Sequence, residues 1–153
     1  MKIEDIFKKE FIIQELAAKT KRDVLLELST AFLRGPYAFD GDRVVEVLLN
    51  REKLGSTGIG DGIAIPHGKL EGLTDLVLAF GRSSGGIDFQ AMDGRPVHLF
   101  FLLMAPENSE GQYLKALAKI SRMLKDASFR KRLMDAATAA EIYRIVTDKD
   151  RDD

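Results

Sequence analysis

The chain carries two histidines, His67 and His98, and no cysteine. A neutral imidazole is a good nucleophile near pH 7, because its unperturbed pKa is about 6.5. It can attack phosphorus and form a covalent intermediate. His67 stands in Pro66-His67-Gly68, just beyond residues 55–62, which read GSTGIGDG. Pro66 fixes its own φ and biases Ile65 toward extended geometry. Gly68 leaves little bulk beside the ring. The glycines Gly58, Gly60 and Gly62 allow a backbone to approach a ligand closely, and successive exposed N–H groups make an anion-binding concavity. Ser56 and Thr57 could add hydroxyl donors. On the residues alone two readings stay open, a phosphoryl acceptor and a loop histidine that only caps a turn, and the second carries more weight.

Two further residues could serve such a site. Arg51 offers planar donors that suit a phosphoryl group, or is simply a cation well placed at a helix C-terminus. Asp61 could orient the His67 ring, although helping a Gly-Asp-Gly turn is the default reading. His98 lies inside the apolar run Val97 to Met104 and reads as a core or sheet-edge histidine satisfied by hydrogen bonds. Two isolated histidines without cysteines make a poor metal site. The glycine-rich stretch is not a Walker loop, since Lys69 is followed by Leu70. Nor is it a convincing dinucleotide fingerprint, with no clear strand before it and no clear helix after it.

The elements that must position these residues alternate between strand and helix. Phe11 to Leu16 reads as a strand. Thr20 and Asp23 cap a helix with Val24, Leu28, Ala31 and Phe32 on one face. Gly35-Pro36 ends it. Asp40 caps a second helix whose stripe is Val44, Val45, Leu48 and Leu49, with Arg51 near its end. Residues 55–62 form a loop by composition. Leu76 to Phe80 reads as a strand, Ser83 to Gly86 as a turn, Ile87 and Phe89 as a short strand and Asp93-Gly94 as another turn. Val97 to Met104 suits a central strand buried on both faces. Tyr113, Leu117, Ile120 and Leu124 mark a helix, Phe129 and Leu133 another, and Thr138 with Glu141 caps a third. The expected class is α/β, a single domain with a mixed central β-sheet flanked by α-helices. The domain should span residues 1–148, with 149–153 a charged tail that frays.

At 153 residues the chain fits one domain. Lys and Arg total 23 against 24 Asp and Glu, so there is no global pull toward nucleic acid or anionic lipid. No apolar run reaches the roughly 18 residues of a membrane span, and the N-terminus lacks a signal-peptide core. These features set the expectation of a soluble cytoplasmic protein without membrane insertion.

The run from Asn50 to Leu70, NREKLGSTGIGDGIAIPHGKL, closely resembles the active-site segment of the enzyme IIA components of the bacterial phosphoenolpyruvate-dependent phosphotransferase system, mannitol/fructose class. The nearest look is to the stand-alone nitrogen-regulatory type. The resemblance continues through Ile87 to Asn108 and more weakly over nearly the whole chain. It implies that His67 carries the phosphoryl group, that Arg51 is the arginine beside it, and that Asp61 matches an acidic residue six positions before the histidine. Many members carry a second active-site histidine, and the aligned position here is Tyr113. A tyrosine can donate a hydrogen bond to a phosphoryl oxygen but supplies no positive charge at neutral pH. The donor would be an HPr-like phosphocarrier, with Arg51 and loop N–H groups from Ser56 to Gly62 steadying the transferred group. Ile59, Ile63 and Tyr113 would help to form the docking surface. No metal or organic cofactor is required. The phosphoryl group would act as a regulatory switch of the nitrogen type toward a target, or pass to a fructose- or mannitol-specific IIB protein in sugar uptake.

Overall fold

The structure, a computed structural model, describes residues 1–37 and 39–152. A turn of 3-10 helix at Ile3–Asp5 leads into strand β1, Phe7–Ile13. Helices α1 (Lys21–Ala31) and α2 (Gly41–Glu52) follow, then three short strands, β2 (Gly58–Gly60), β3 (Ile63–Ala64) and β4 (His67–Lys69). Two long strands, β5 (Val77–Ile87) and β6 (Val97–Ala105), precede α3 (Glu110–Met123), α4 (Ala127–Asp135) and α5 (Ala139–Asp152). The α/β expectation holds. Among the described residues no helix is long and apolar enough to cross a membrane.

The six strands form one mixed sheet in the order β1-β5-β6-β3-β2, with β4 also on β6. Strand β6 is the axis. It pairs antiparallel with β5 along one side and parallel with β3 and then β4 along the other. That position explains its almost unbroken apolar text, since both faces are covered. On one face Leu99, Phe101 and Leu103 join Ile65, Tyr113, Ile120, Phe129 and Ile142, so α3, α4 and α5 cover it. On the other face Phe100, Leu102 and Met104 join Val24, Leu28, Val44 and Leu48 from α1 and α2.

The caps read from the sequence are formed. The Thr20 hydroxyl accepts the Asp23 N–H, and Asp40 accepts that of Asp42. At α5 the Thr138 hydroxyl accepts the Glu141 N–H, while the Glu141 carboxylate reaches back to the N–H of Ala137.

Four expectations are corrected. The first strand begins at Phe7 rather than Phe11, because Phe7 already pairs with Leu78 of β5. Residues 55–62 are not a free loop, since β2 pairs antiparallel with β3. Ser83 to Gly86 is not a turn but a bulged part of β5: four residues of β5 lie between the Arg82–Leu99 and Ile87–Val97 pairs, against one, His98, on β6. Gly86 permits it with φ of 81°, where a Cβ would lie 2.8 Å from His98. Finally, α5 continues beyond residue 148 to Asp152. Asp150 is buried, accepts the N–H of Ile3 at 2.7 Å and pairs with Lys119 at 2.7 Å. Those partners lie far away in the chain and are invisible to local composition.

Candidate functional site

The site is assembled where the C-terminal turn of α2 and the first turn of α3 flank β4. Pro66 has no N–H to donate, and it separates β3 from β4 along β6. Its carbonyl still accepts the N–H of Leu103. The chain therefore stays on the sheet while the Ile65 carbonyl is released to face the ring of His67. Gly68 lets α2 press onto β4: a Cβ there would lie 2.9 Å from Val47 Cγ1. Arg51 is one turn beyond Val47 on the same side of α2, and this approach brings it to the ring.

Both ring nitrogens of His67 are engaged. Nδ1 lies 2.7 Å from the Ile65 carbonyl oxygen, and Arg51 Nε lies 3.3 Å from Nε2. A carbonyl can only accept and a guanidinium can only donate. The two contacts are both hydrogen bonds only when Nδ1 carries the proton and Nε2 presents its lone pair. The ring is half-buried, and its pKa is lowered from the ordinary 6.5, first by burial and further by the charge of Arg51; the Ile65 bond and Glu52 act in the opposite direction. Neutral His67 with the lone pair on Nε2 turned to Arg51 is thus the form the surroundings favour near pH 7.

Arg51 is fixed at its other end, where Nη1 donates to the Gly55 carbonyl at 2.9 Å. Tyr113, on α3, packs edge-on against His67 with ring centroids 5.9 Å apart. Its side chain is largely buried, and burial pushes the phenol up to about 12, with Arg51 pulling down and Glu110 pushing up. It is therefore a neutral hydroxyl at physiological pH.

The glycine-rich segment does different work from that expected. The Thr57 N–H donates to Glu52 Oε1 at 3.2 Å, and the Thr57 hydroxyl bonds the other Glu52 oxygen. Ser56 Oγ donates to the Phe89 carbonyl and accepts the Gly58 N–H. The Asp61 N–H donates to Asp93 Oδ2. These donors are spent within the protein and form no open anion cradle. Gly60 and Gly62 turn the chain at positive φ around Asp61, itself at 56°. Gly62 lies level with His98 and Leu99 of β6, whereas His67 lies level with Leu103. At about 3.3 Å per residue the hairpin tip is about 15 Å along the strand from the imidazole. The structure thus brings Arg51 and Tyr113 to His67, places Thr57 in the brace behind it, and leaves Asp61, Gly60 and Gly62 apart. The Ile65 carbonyl takes the orienting role considered for Asp61. Ile63 is buried and is no docking residue, while Ile59 is exposed on the distant hairpin. His98 is satisfied as expected, with Nδ1 2.9 Å from the Ser83 carbonyl.

Sequence reasoning missed Glu52 and Lys21. Lys21 Nζ pairs with Glu52 at 2.7 Å, both side chains being largely buried, so a carboxylate next to Arg51 is neutralised from behind and ties α1, α2 and the hairpin together. Its position beside Arg51 was the only available signal. Among the described residues no group of three or more acidic, His or Cys side chains could hold a metal ion.

The chain is similar to several known proteins. A nitrogen regulatory protein of Bradyrhizobium diazoefficiens is 44% identical over 149 residues, 95% of either chain. The fructose-specific EIIABC component of Bacillus subtilis is 37% identical across 99% of this chain, which spans 24% of that longer protein. The crystal structure of the nitrogen regulatory protein IIA-Ntr from Neisseria meningitidis superposes with a TM-score of 0.88 at 36% identity, covering 95% of this chain and 99% of that one. Residues 5–149 match the model of the phosphoenolpyruvate-dependent sugar phosphotransferase system EIIA 2 family, and the chain belongs to that family, whose domains are phosphotransfer components.

Proposed function

We propose that this protein is a cytoplasmic histidine phosphocarrier that accepts a phosphoryl group on Nε2 of His67 from an HPr-like phosphocarrier and serves as a regulatory switch of the nitrogen type. The observation that carries the chemistry is the pair of hydrogen bonds that place the proton on Nδ1 and the lone pair on Nε2. In the transfer, the Nε2 pair forms a new P–N bond as the P–N bond of the donor phosphohistidine breaks, and that bonding pair returns to the donor ring. If the donor phosphoimidazole is in its protonated form, it leaves as a neutral imidazole. His67 becomes a phosphoimidazolium whose Nδ1 keeps its proton and goes on donating it to the Ile65 carbonyl. No proton has to move during the step. Arg51 and the Tyr113 hydroxyl steady the charge on the phosphoryl oxygens.

The full-length similarity to a nitrogen regulatory protein favours the switch. About two negative charges then appear on a partner-facing surface and alter which target binds. The similarity to a fructose-specific EIIABC component supports the second reading, a relay to a IIB protein in sugar uptake. Incubation with phosphoenolpyruvate, enzyme I and an HPr-type carrier should yield an acid-labile phosphate on Nε2 of His67, seen by phosphorus NMR. No label, or equal labelling of His67→Ala, would sink the carrier reading. Rapid onward transfer to a fructose- or mannitol-type IIB protein would favour the relay over the switch.

A further inference from the structure

His67 and Lys69 are the first and third residues of β4. Side chains two apart on a strand leave the same face, while Gly68 between them turns toward Val47 and Leu48 of α2. The Lys69 ammonium lies 5.6 Å from the centroid of the Tyr113 ring, and that ring is the one that packs on His67. The three side chains thus form one row, with Tyr113 between the imidazole and the ammonium. Lys69 is paired with the carboxylate of Glu110, the first residue of α3.

This ion pair is built to let go. The side chains are 34% and 62% exposed, and an exposed pair is held only weakly against water and salt. Glu110 keeps a favourable place without Lys69, because a carboxylate in the first turn of a helix interacts well with the exposed N–H groups there. A phosphoryl group on Nε2 would bring about two negative charges to the end of the row, where Arg51 is the cation already on the ring. The other nearby carboxylate, Glu52, is committed to Lys21 and Thr57. Strand geometry sets Lys69 about 7 Å from His67 along the chain, within reach of a lysine side chain.

We propose that Lys69 is a second phosphoryl-binding cation, held in reserve by Glu110, and that it exchanges Glu110 for the phosphoryl oxygens as the group arrives on His67. This rests on the reading of His67 as the acceptor. It supplies a positive charge that the neutral phenol of Tyr113 does not. No covalent bond is made or broken on Lys69. In the unphosphorylated protein the same ammonium ties β4 to the start of α3. The exchange therefore frees Glu110 at the surface and gives a phosphorylation-dependent change in charge beyond the phosphate itself.

The test is rapid-quench phosphorylation of the wild type, Lys69→Met, Lys69→Arg and Glu110→Gln by enzyme I, phosphoenolpyruvate and an HPr-type carrier at saturating carrier. Lys69→Met should slow transfer about tenfold, Lys69→Arg should retain most of the rate, and Glu110→Gln should accelerate it about threefold by releasing Lys69. In phosphorus NMR, the last ionisation of the bound phosphoryl group should move to higher pH in Lys69→Met. Far-UV circular dichroism should find all four folded alike. A normal saturating rate in Lys69→Met, or a loss confined to the apparent affinity for carrier, would overturn the phosphoryl-binding role. A Glu110→Gln rate at or below that of the wild type would overturn the reserve. Absence of label on wild-type His67 would remove the acceptor reading itself, an outcome distinct from either.

Discussion

Arg51 donates to Nε2 of His67 across 3.3 Å while its other arm holds the Gly55 carbonyl at 2.9 Å. The guanidinium therefore covers the lone pair that would attack phosphorus, and its hold on Gly55 keeps it beside the ring when the Nε contact gives way to the incoming phosphoryl group. Arg51→Ala should slow phosphoryl uptake by about a hundredfold with the fold intact by circular dichroism. Arg51→Lys should recover only part of the rate, because an ammonium cannot hold both partners in one plane. A single-turnover rate unchanged in Arg51→Ala would take Arg51 out of the site.

The ring of His67 is held neutral, chiefly by burial. Its folded pKa lies below the unfolded value of about 6.5, so below that pH the unfolded chain binds the additional proton. The stability contributed by the neutral ring is complete above about 6.5 and is lost as pH falls through the folded value. An NMR titration of the His67 ring should give a midpoint below 6.5, moving upward in Arg51→Ala once the nearby charge is gone. A wild-type midpoint above 6.5 would falsify this account of the tautomer.

Tyr113 meets His67 through its ring and has a hydroxyl that stays protonated. Tyr113→Phe keeps the packing and deletes the donor. It should leave the unfolding free energy, measured in urea, within about 1 kcal/mol of the wild type and lower the transfer rate several-fold. A rate equal to that of the wild type would reduce Tyr113 to a packing residue.

Glu52 is buried with Lys21 and Thr57 as its partners. Removal of one member of a buried pair strands the other charge, so Glu52→Ala should destabilise the protein by about 3 kcal/mol. Urea unfolding measures this. A loss below about 1 kcal/mol, the usual value of an exposed pair, would show that the brace is dispensable.

Gly68→Ala is predicted to act at a distance from its own small volume. The added methyl meets Val47 at 2.9 Å, and a branched side chain on a packed helix yields little. The expected loss is about 2 kcal/mol. Because α2 must retreat, Arg51 moves from His67, and phosphoryl uptake should fall as well. Normal uptake in a folded Gly68→Ala protein would show that the approach of α2 is not what positions Arg51.

Much of this frame was legible in the sequence because its signals are local. Thr20 and Asp40 announce helix starts through their own neighbours, and Val97 to Met104 declares a doubly buried strand by its lack of polar residues. The meeting of Arg51 with His67 was legible through resemblance, since spacing alone could not tell a clamp from a helix-end cation. The function of the glycine-rich segment was not legible. Glycine permits both an open cradle and a tight hairpin, and Glu52 together with the distant partners Phe89 and Asp93 decides for the hairpin. Likewise the choice between Asp61 and the Ile65 carbonyl as the partner of Nδ1 depends on where Pro66 breaks the ladder along β6, a fact of pairing register rather than of composition.

The hydrogen bond from Ile3 to Asp150 has a consequence for the chain as a path. It sets the two termini side by side, so the order in which the elements are strung is separable from the order in which they sit. A circular permutant closed by a short glycine-serine bridge between the old ends, and opened at exposed Gly72 between β4 and β5, should rebuild the same sheet and the same imidazole environment. Its β6 would still find β3, β4 and β5, although β4 would now be the last of them to be synthesised.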